Sequence, residues 1–86
     1  LDDISGSKGC MIVTKEGEVI ASKVGKEFVQ DKVAALAADA VSVINKVIDE
    51  CNFGKPDTMV IEGSGGKFAT VAAEKGGTFI ILLGDK

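Results

Sequence analysis

Val33-Ala34-Ala35-Leu36-Ala37-Ala38-Asp39-Ala40-Val41-Ser42-Val43-Ile44-Asn45-Lys46-Val47-Ile48 is the stretch on which the fold turns. Alanines at 34, 35, 37, 38 and 40 give it high intrinsic helix propensity. The pattern predicts one long helix over 26–51. Gly25 serves as a tolerable cap and Glu27 falls in the positive first turn. Asn52-Phe53-Gly54, followed by Pro56, stops it. At about 100° per residue, Val29, Val33, Leu36, Ala40, Val43, Ile44, Val47 and Cys51 share a face, with Lys32, Asp39, Ser42, Lys46 and Glu50 opposite. Ala34, Ala38, Val41, Asn45 and Ile48 occupy one flank between them. The uncharged arc is therefore wider than a single sheet-facing stripe requires. Ala34 and Ala38 are small and four apart, so this flank admits close approach of a second helix. The alternative is that alanine simply favours helix there and sits half exposed.

Working outward, strands lie on both sides of the helix. Upstream, Gly9-Cys10-Met11-Ile12-Val13-Thr14 and Glu18-Val19-Ile20-Ala21-Ser22 flank the turn Lys15-Glu16-Gly17, where Gly17 takes the left-handed position. Downstream, strands are expected over 58–62, 67–73 and 78–83. They are joined by Gly63-Ser64-Gly65-Gly66 and Glu74-Lys75-Gly76-Gly77, short glycine-rich loops that imply antiparallel hairpins. Thr78-Phe79-Ile80-Ile81-Leu82-Leu83 is apolar at consecutive positions. Such a strand belongs in mid-sheet with both faces covered. The helix covers one face. The other is left to a missing segment or a partner, since each exposed Leu or Ile forgoes ~1.5–3 kcal/mol of burial.

The 86 residues make one domain, 1–86, with 45% hydrophobic and 5% aromatic residues and hence an aliphatic core. A chain of this size buries only ~60% of its unfolded surface, so association would help it. The chain opens on Leu1 and stops just after an apolar strand, so a trimmed boundary at either end stays open. There is no Arg, His, Trp or Tyr. Histidine bases, histidine metal ligands and bidentate arginine clamps are therefore excluded. A net charge of −3 and a pI near 4.8 argue against nucleic acid and anionic membrane surfaces as partners. Cys10 and Cys51 are too few for a disulfide scaffold and too far apart for a zinc site; they read as reduced core thiols, which suits a cytoplasmic protein. No signal peptide or membrane-spanning run is visible.

Nothing along the chain reads as catalytic. Gly63-Ser64-Gly65-Gly66-Lys67 superficially suggests a phosphate loop, but Ile61 stands where the first glycine belongs, Phe68 follows the lysine, and a strand follows the loop. Asp2-Asp3 and Asp49-Glu50 lie at a terminus and at a helix end, where solvated charge explains them better than acid–base work. The serines have no histidine to activate them. No catalytic residue, metal or cofactor is expected. What remains is surface. The strand Asp57-Thr58-Met59-Val60-Ile61-Glu62 lies at the outside of the downstream meander, and a regular, weakly charged edge invites another strand. If it pairs with its own copy, the long helices meet beside it, and edge and helix flank point to one symmetric dimer.

On the segments GCMIVTKEGEVIAS (9–22), VAALAADAVSVINKVI (33–48), Thr58-Met59-Val60-Ile61-Glu62-Gly63 and the aliphatic last strand, the chain resembles the roadblock family, which includes dynein light chains and regulators of small GTPases. The resemblance runs from about residue 9 to 83. It implies an α+β fold, with a five-stranded antiparallel sheet in the order 2-1-5-4-3 and the long helix on one face. It also implies short helices before the first strand and after the last. This chain lacks the final one, and 1–4 is at most a remnant of the first. The implied function is that of a non-enzymatic adaptor that binds and modulates a Ras-like GTPase, dimeric with itself or with a paralogous subunit. With no arginine it cannot donate an arginine finger. Dimer contacts carry over onto Ala34, Ala38, Val41, Asn45, Met59, Val60 and Ile61. Two rivals stay open: a ligand-sensing domain of profilin-like or PAS-like architecture, and a structural subunit of a motor complex.

Overall fold

A computed structural model describes residues 7–73 and 77–85. The elements run β1 (Ser7–Thr14), β2 (Val19–Val24), α1 (Gln30–Glu50), β3 (Thr58–Gly63), β4 (Gly66–Ala72) and β5 (Thr78–Gly84). The five strands form one antiparallel sheet in the order β2-β1-β5-β4-β3. β5 is central, as its unbroken apolar run requires. Its neighbours are β1, through Met11↔Ile81 and Val13↔Phe79, and β4, through Thr70↔Ile81 and Phe68↔Leu83.

Local chemistry sets the turns. Gly17 adopts φ +93°, and the turn is closed by Thr14 N–H to Glu18 O at 2.9 Å and by Glu18 N–H to Thr14 Oγ1 at 3.1 Å. A Cβ at Gly17 would stand 3.1 Å from the Ala35 Cα, so this hairpin turn lies directly against the helix. At the same end of the sheet Lys15 N–H donates to Gly77 O at 2.6 Å, tying the β1–β2 turn to the start of β5. The β4–β5 loop expected at 74–77 falls mostly outside the described residues, as do the lead-in residues 1–6 and with them Asp2-Asp3.

The helix is shorter than the sequence predicts and begins at Gln30 instead of 26. Gly25 N–H reaches back to Lys8 O and Phe28 N–H to Gly25 O, so residues 25–28 form a turn that tucks Phe28 against the core. Val29 occupies the cap position without a side-chain hydrogen bond, and Asp31, not Glu27, supplies the first-turn carboxylate. The C-terminal stop falls where expected. Asn52 takes φ +59° and Gly54 φ +87°, and Phe53 N–H caps Ile48 O at 3.1 Å.

The core lies between the helix and one sheet face. Met11, Val13, Phe79, Ile81 and Leu83 come from the sheet; Ala34, Ala37 and Ala38 come from the helix. Bulky side chains on the sheet meet small ones on the helix, which lets the helix backbone approach closely without a void. Of the shared apolar face, Val29, Leu36, Val43 and Val47 turn away from the sheet. Those four are 66%, 60%, 58% and 49% exposed, whereas Ala34 and Ala38 are 0% and 5%. The thiols are also relocated: Cys10 is only half-buried and Cys51 is exposed just past the helix, so neither is a core residue.

Candidate interaction surface

Two flanks of α1 overlook opposite ends of the sheet. Ala35 lies against the β1–β2 turn, and Ser22 Oγ donates to Gln30 Oε1 at 2.5 Å, so the Asp31/Ala35 flank belongs to the β2 side. Toward the other edge the helix and β3–β4 bound a groove of about 560 Å³, lined by Val41, Ile44, Asn45, Met59, Thr70 and Phe79 among others. The Ile44 flank therefore belongs to the β3 side. At about 100° per residue, Leu36, Val43 and Val47 fall around the solvent pole of the helix, close to half a turn from Ala34 and offset toward the Ile44 side. They form a branched aliphatic stripe leaning toward β3.

The edge strand continues this apolar surface. Val60 and Ile61 are 56% and 54% exposed, and Met59 is half-buried. β3 pairs with β4 through an uninterrupted register from Thr58↔Val71 to Gly63↔Gly66, and no described strand lies on its other side. The pairing Met59↔Thr70 and Ile61↔Phe68 puts Met59 and Ile61 on the helix side of the sheet, beside the groove. Groove and edge strand therefore adjoin one another, and the helix stripe lies on the outer side of α1, beyond Ile44. Isolated exposed aliphatics are ordinary, but a contiguous patch of them next to unpaired strand edge marks an association surface.

Of the residues expected at a seam, Met59, Val60 and Ile61 lie on β3, and Val41 and Asn45 line the groove beside it. Ala34 and Ala38 it takes away. Both are packed on the chain's own sheet, so the close approach their size permits is that of helix to sheet, not helix to helix. Leu36, Val43 and Val47, which the sequence shows as part of an aliphatic face, are the helix residues left exposed instead.

The sheet's second face carries Ile12, Val60, Ala69, Val71, Ile80 and Leu82, and among the described residues no element covers it. β5 shows the difference between the faces directly, with Phe79, Ile81 and Leu83 buried and Ile80 and Leu82 half-buried. Chemistry is sparse. Among the described residues, no group of three or more His, Cys, Asp or Glu side chains is arranged to hold a metal, and the helix is not long and apolar enough to cross a membrane. Lys67, which follows the glycine-rich loop, is the second residue of β4 and not the start of a helix, which disposes of a phosphate loop there.

Comparison with known proteins gives a consistent answer. The family model described as the Roadblock/LC7 domain matches residues 1–83. An uncharacterized protein of Methanocaldococcus jannaschii is 33% identical over 85 residues, covering 99% of this chain and 73% of its own length. Among solved structures, a Roadblock/LC7 domain from Streptomyces avermitilis superposes with a TM-score of 0.88 at 18% identity, covering 98% of this chain and 70% of the other. MglB of Myxococcus xanthus gives 0.86 at 16% identity, covering 93% and 65%.

Proposed function

This chain belongs to the Roadblock/LC7 domain family, and on that premise we propose that it is a non-enzymatic dimeric adaptor whose partner is a small Ras-like GTPase. The observations that carry the dimer are the open, regular edge of β3, with Met59 and Ile61 on its helix side and Val60 on the other face, and the exposed aliphatics Leu36, Val43 and Val47 on the outer side of α1. Two copies related by a two-fold axis beside β3 join their sheets edge to edge, and the helix stripes, which lean toward that edge, then face one another across the axis. Each buried Leu, Ile or Val recovers ~1.5–3 kcal/mol that the single chain forgoes.

The GTPase rests on the family. Its members scaffold or modulate Ras-like GTPases or attach cargo to dynein. This chain contributes lysines and carboxylates but no arginine. Any effect on hydrolysis must therefore come from positioning the GTPase's own residues, not from a donated guanidinium. The test is a pull-down against the small GTPases of the source organism, each loaded with GDP or with a non-hydrolysable GTP analogue. Retention in at least one state is expected; absence in both removes the reading.

The groove beside β3 is large enough for a small ligand, in the ~300–1,000 Å³ range of such sites, and this favours the rival ligand-sensing reading. Against it, the groove opens onto the helix stripe and the strand edge, and among the described residues no buried polar side chain is left without a partner to aim at a ligand. Native mass spectrometry separates the two: a retained small molecule supports sensing, and a two-copy mass without one supports the adaptor.

A further inference from the structure

A five-stranded sheet has two edges, and joining two copies through β3 leaves β2 exposed at both ends of the combined sheet. An open edge there would go on recruiting strands, β2 to β2 or β2 to β3, and turn a closed pair into an open chain. Building on the dimer reading, we infer that β2 is a blunted edge that stops assembly at two copies.

Three features of β2 carry this, and β3 shares only the charge, through Glu62. The register against β1 jumps from Ile12↔Ala21 to Val13↔Val19, so Ile20 stands opposite no residue and is 58% exposed. A bulge of this kind bends its strand and raises the local twist, so a flat incoming strand cannot stay in register across it. Lys23 then places a charge on the exposed part of the same strand. Finally, the first turn of α1 stands beside the edge. Ser22 Oγ holds Gln30, and Glu18 with Asp31 lines the groove of about 580 Å³ that runs along β2. A second copy, itself carrying net charge −3, meets carboxylates there. β3 keeps an unbroken register and presents Val60 and Ile61 at its exposed edge.

Deleting Ile20 is the direct test, because it removes the bulge while leaving Val19 and Ala21 on the faces they already occupy. Combined with Lys23→Thr, it gives β2 a regular, uncharged edge. Multi-angle light scattering should find the parent chain at a two-copy mass over the whole concentration range, and the variant at masses that climb to multiples of that value as concentration rises. A folded variant that stays at the two-copy mass overturns the inference and leaves the dimer intact. A parent chain that stays single overturns both. If the deletion does not fold, hydrogen exchange on the parent chain decides. Outward-facing amides of 20–23 should exchange equally fast in dilute and concentrated protein while those of β3 slow, and protection gained at β2 with concentration overturns the inference.

Discussion

Ala34 and Leu36 are two residues apart on the same helix, yet one is sealed against the sheet and the other stands 60% exposed. Substitution at each should therefore fail in a different way. Ala34→Leu adds volume at a fully buried position of the core cluster that includes Met11, Val13 and Ile81, and overpacking of this kind costs ~1–3 kcal/mol. Urea unfolding should show a lowered midpoint. Leu36→Ala removes side chain from the surface of the single chain and should leave a monomer's midpoint nearly unchanged, while weakening self-association measured by sedimentation. If Leu36→Ala unfolds the chain and Ala34→Leu does not, the faces have been assigned the wrong way round. Gly17 is a second sensitive position. Its φ of +93° and the Ala35 Cα, 3.1 Å from where a Cβ would sit, together disfavour any side chain. Gly17→Ala should cost about 1 kcal/mol or more in the same assay.

At the scale of elements, what the sequence disclosed depended on whether a local signal existed. The β3–β4–β5 meander and the central place of β5 were legible because glycine-rich loops separate these strands and the apolar run 79–83 demands cover on both faces, whereas the full strand order followed only from the family resemblance. The helix C-terminus was legible because Asn52 and Gly54 are residues that tolerate positive φ, and both adopt it. Its N-terminus was not, because Val29 makes no side-chain cap and nothing in the residue types marks the boundary. The helix face was half legible. Periodicity shows that the uncharged arc is wide enough for two neighbours, but which part meets the sheet depends on how bulky the sheet is. Met11, Phe79 and Ile81 are large, so the alanines go inward. The bulge at Ile20 left no trace in the alternation of β2. The edge strand supports its own prediction. Ile61→Pro removes a backbone donor and Val60→Lys places a charge at the open edge. Val60→Lys should yield folded monomers by light scattering, since residue 60 is already more than half exposed. A dimer that survives both changes joins through some other surface.

For the whole molecule, size is the governing constraint. A domain of 86 residues buries only ~60% of its unfolded surface, and its helix contributes alanines to the core where longer side chains would bury more. The bulk withheld from the intramolecular core reappears as Leu36, Val43 and Val47 outside, so stability that the single chain lacks is available on pairing. Unfolding is then linked to dissociation, and the melting temperature must depend on protein concentration. For a pair of such chains, a tenfold rise in concentration adds ~1.4 kcal/mol per dimer, which corresponds to a rise of about 4 °C. Scanning calorimetry across two decades of concentration should show that slope in the parent chain. Val60→Lys should remove it and bring the midpoint down to a value independent of concentration. A parent midpoint that does not move means the stripe on α1 is not what completes the fold, and the energetic case for the pair falls with it.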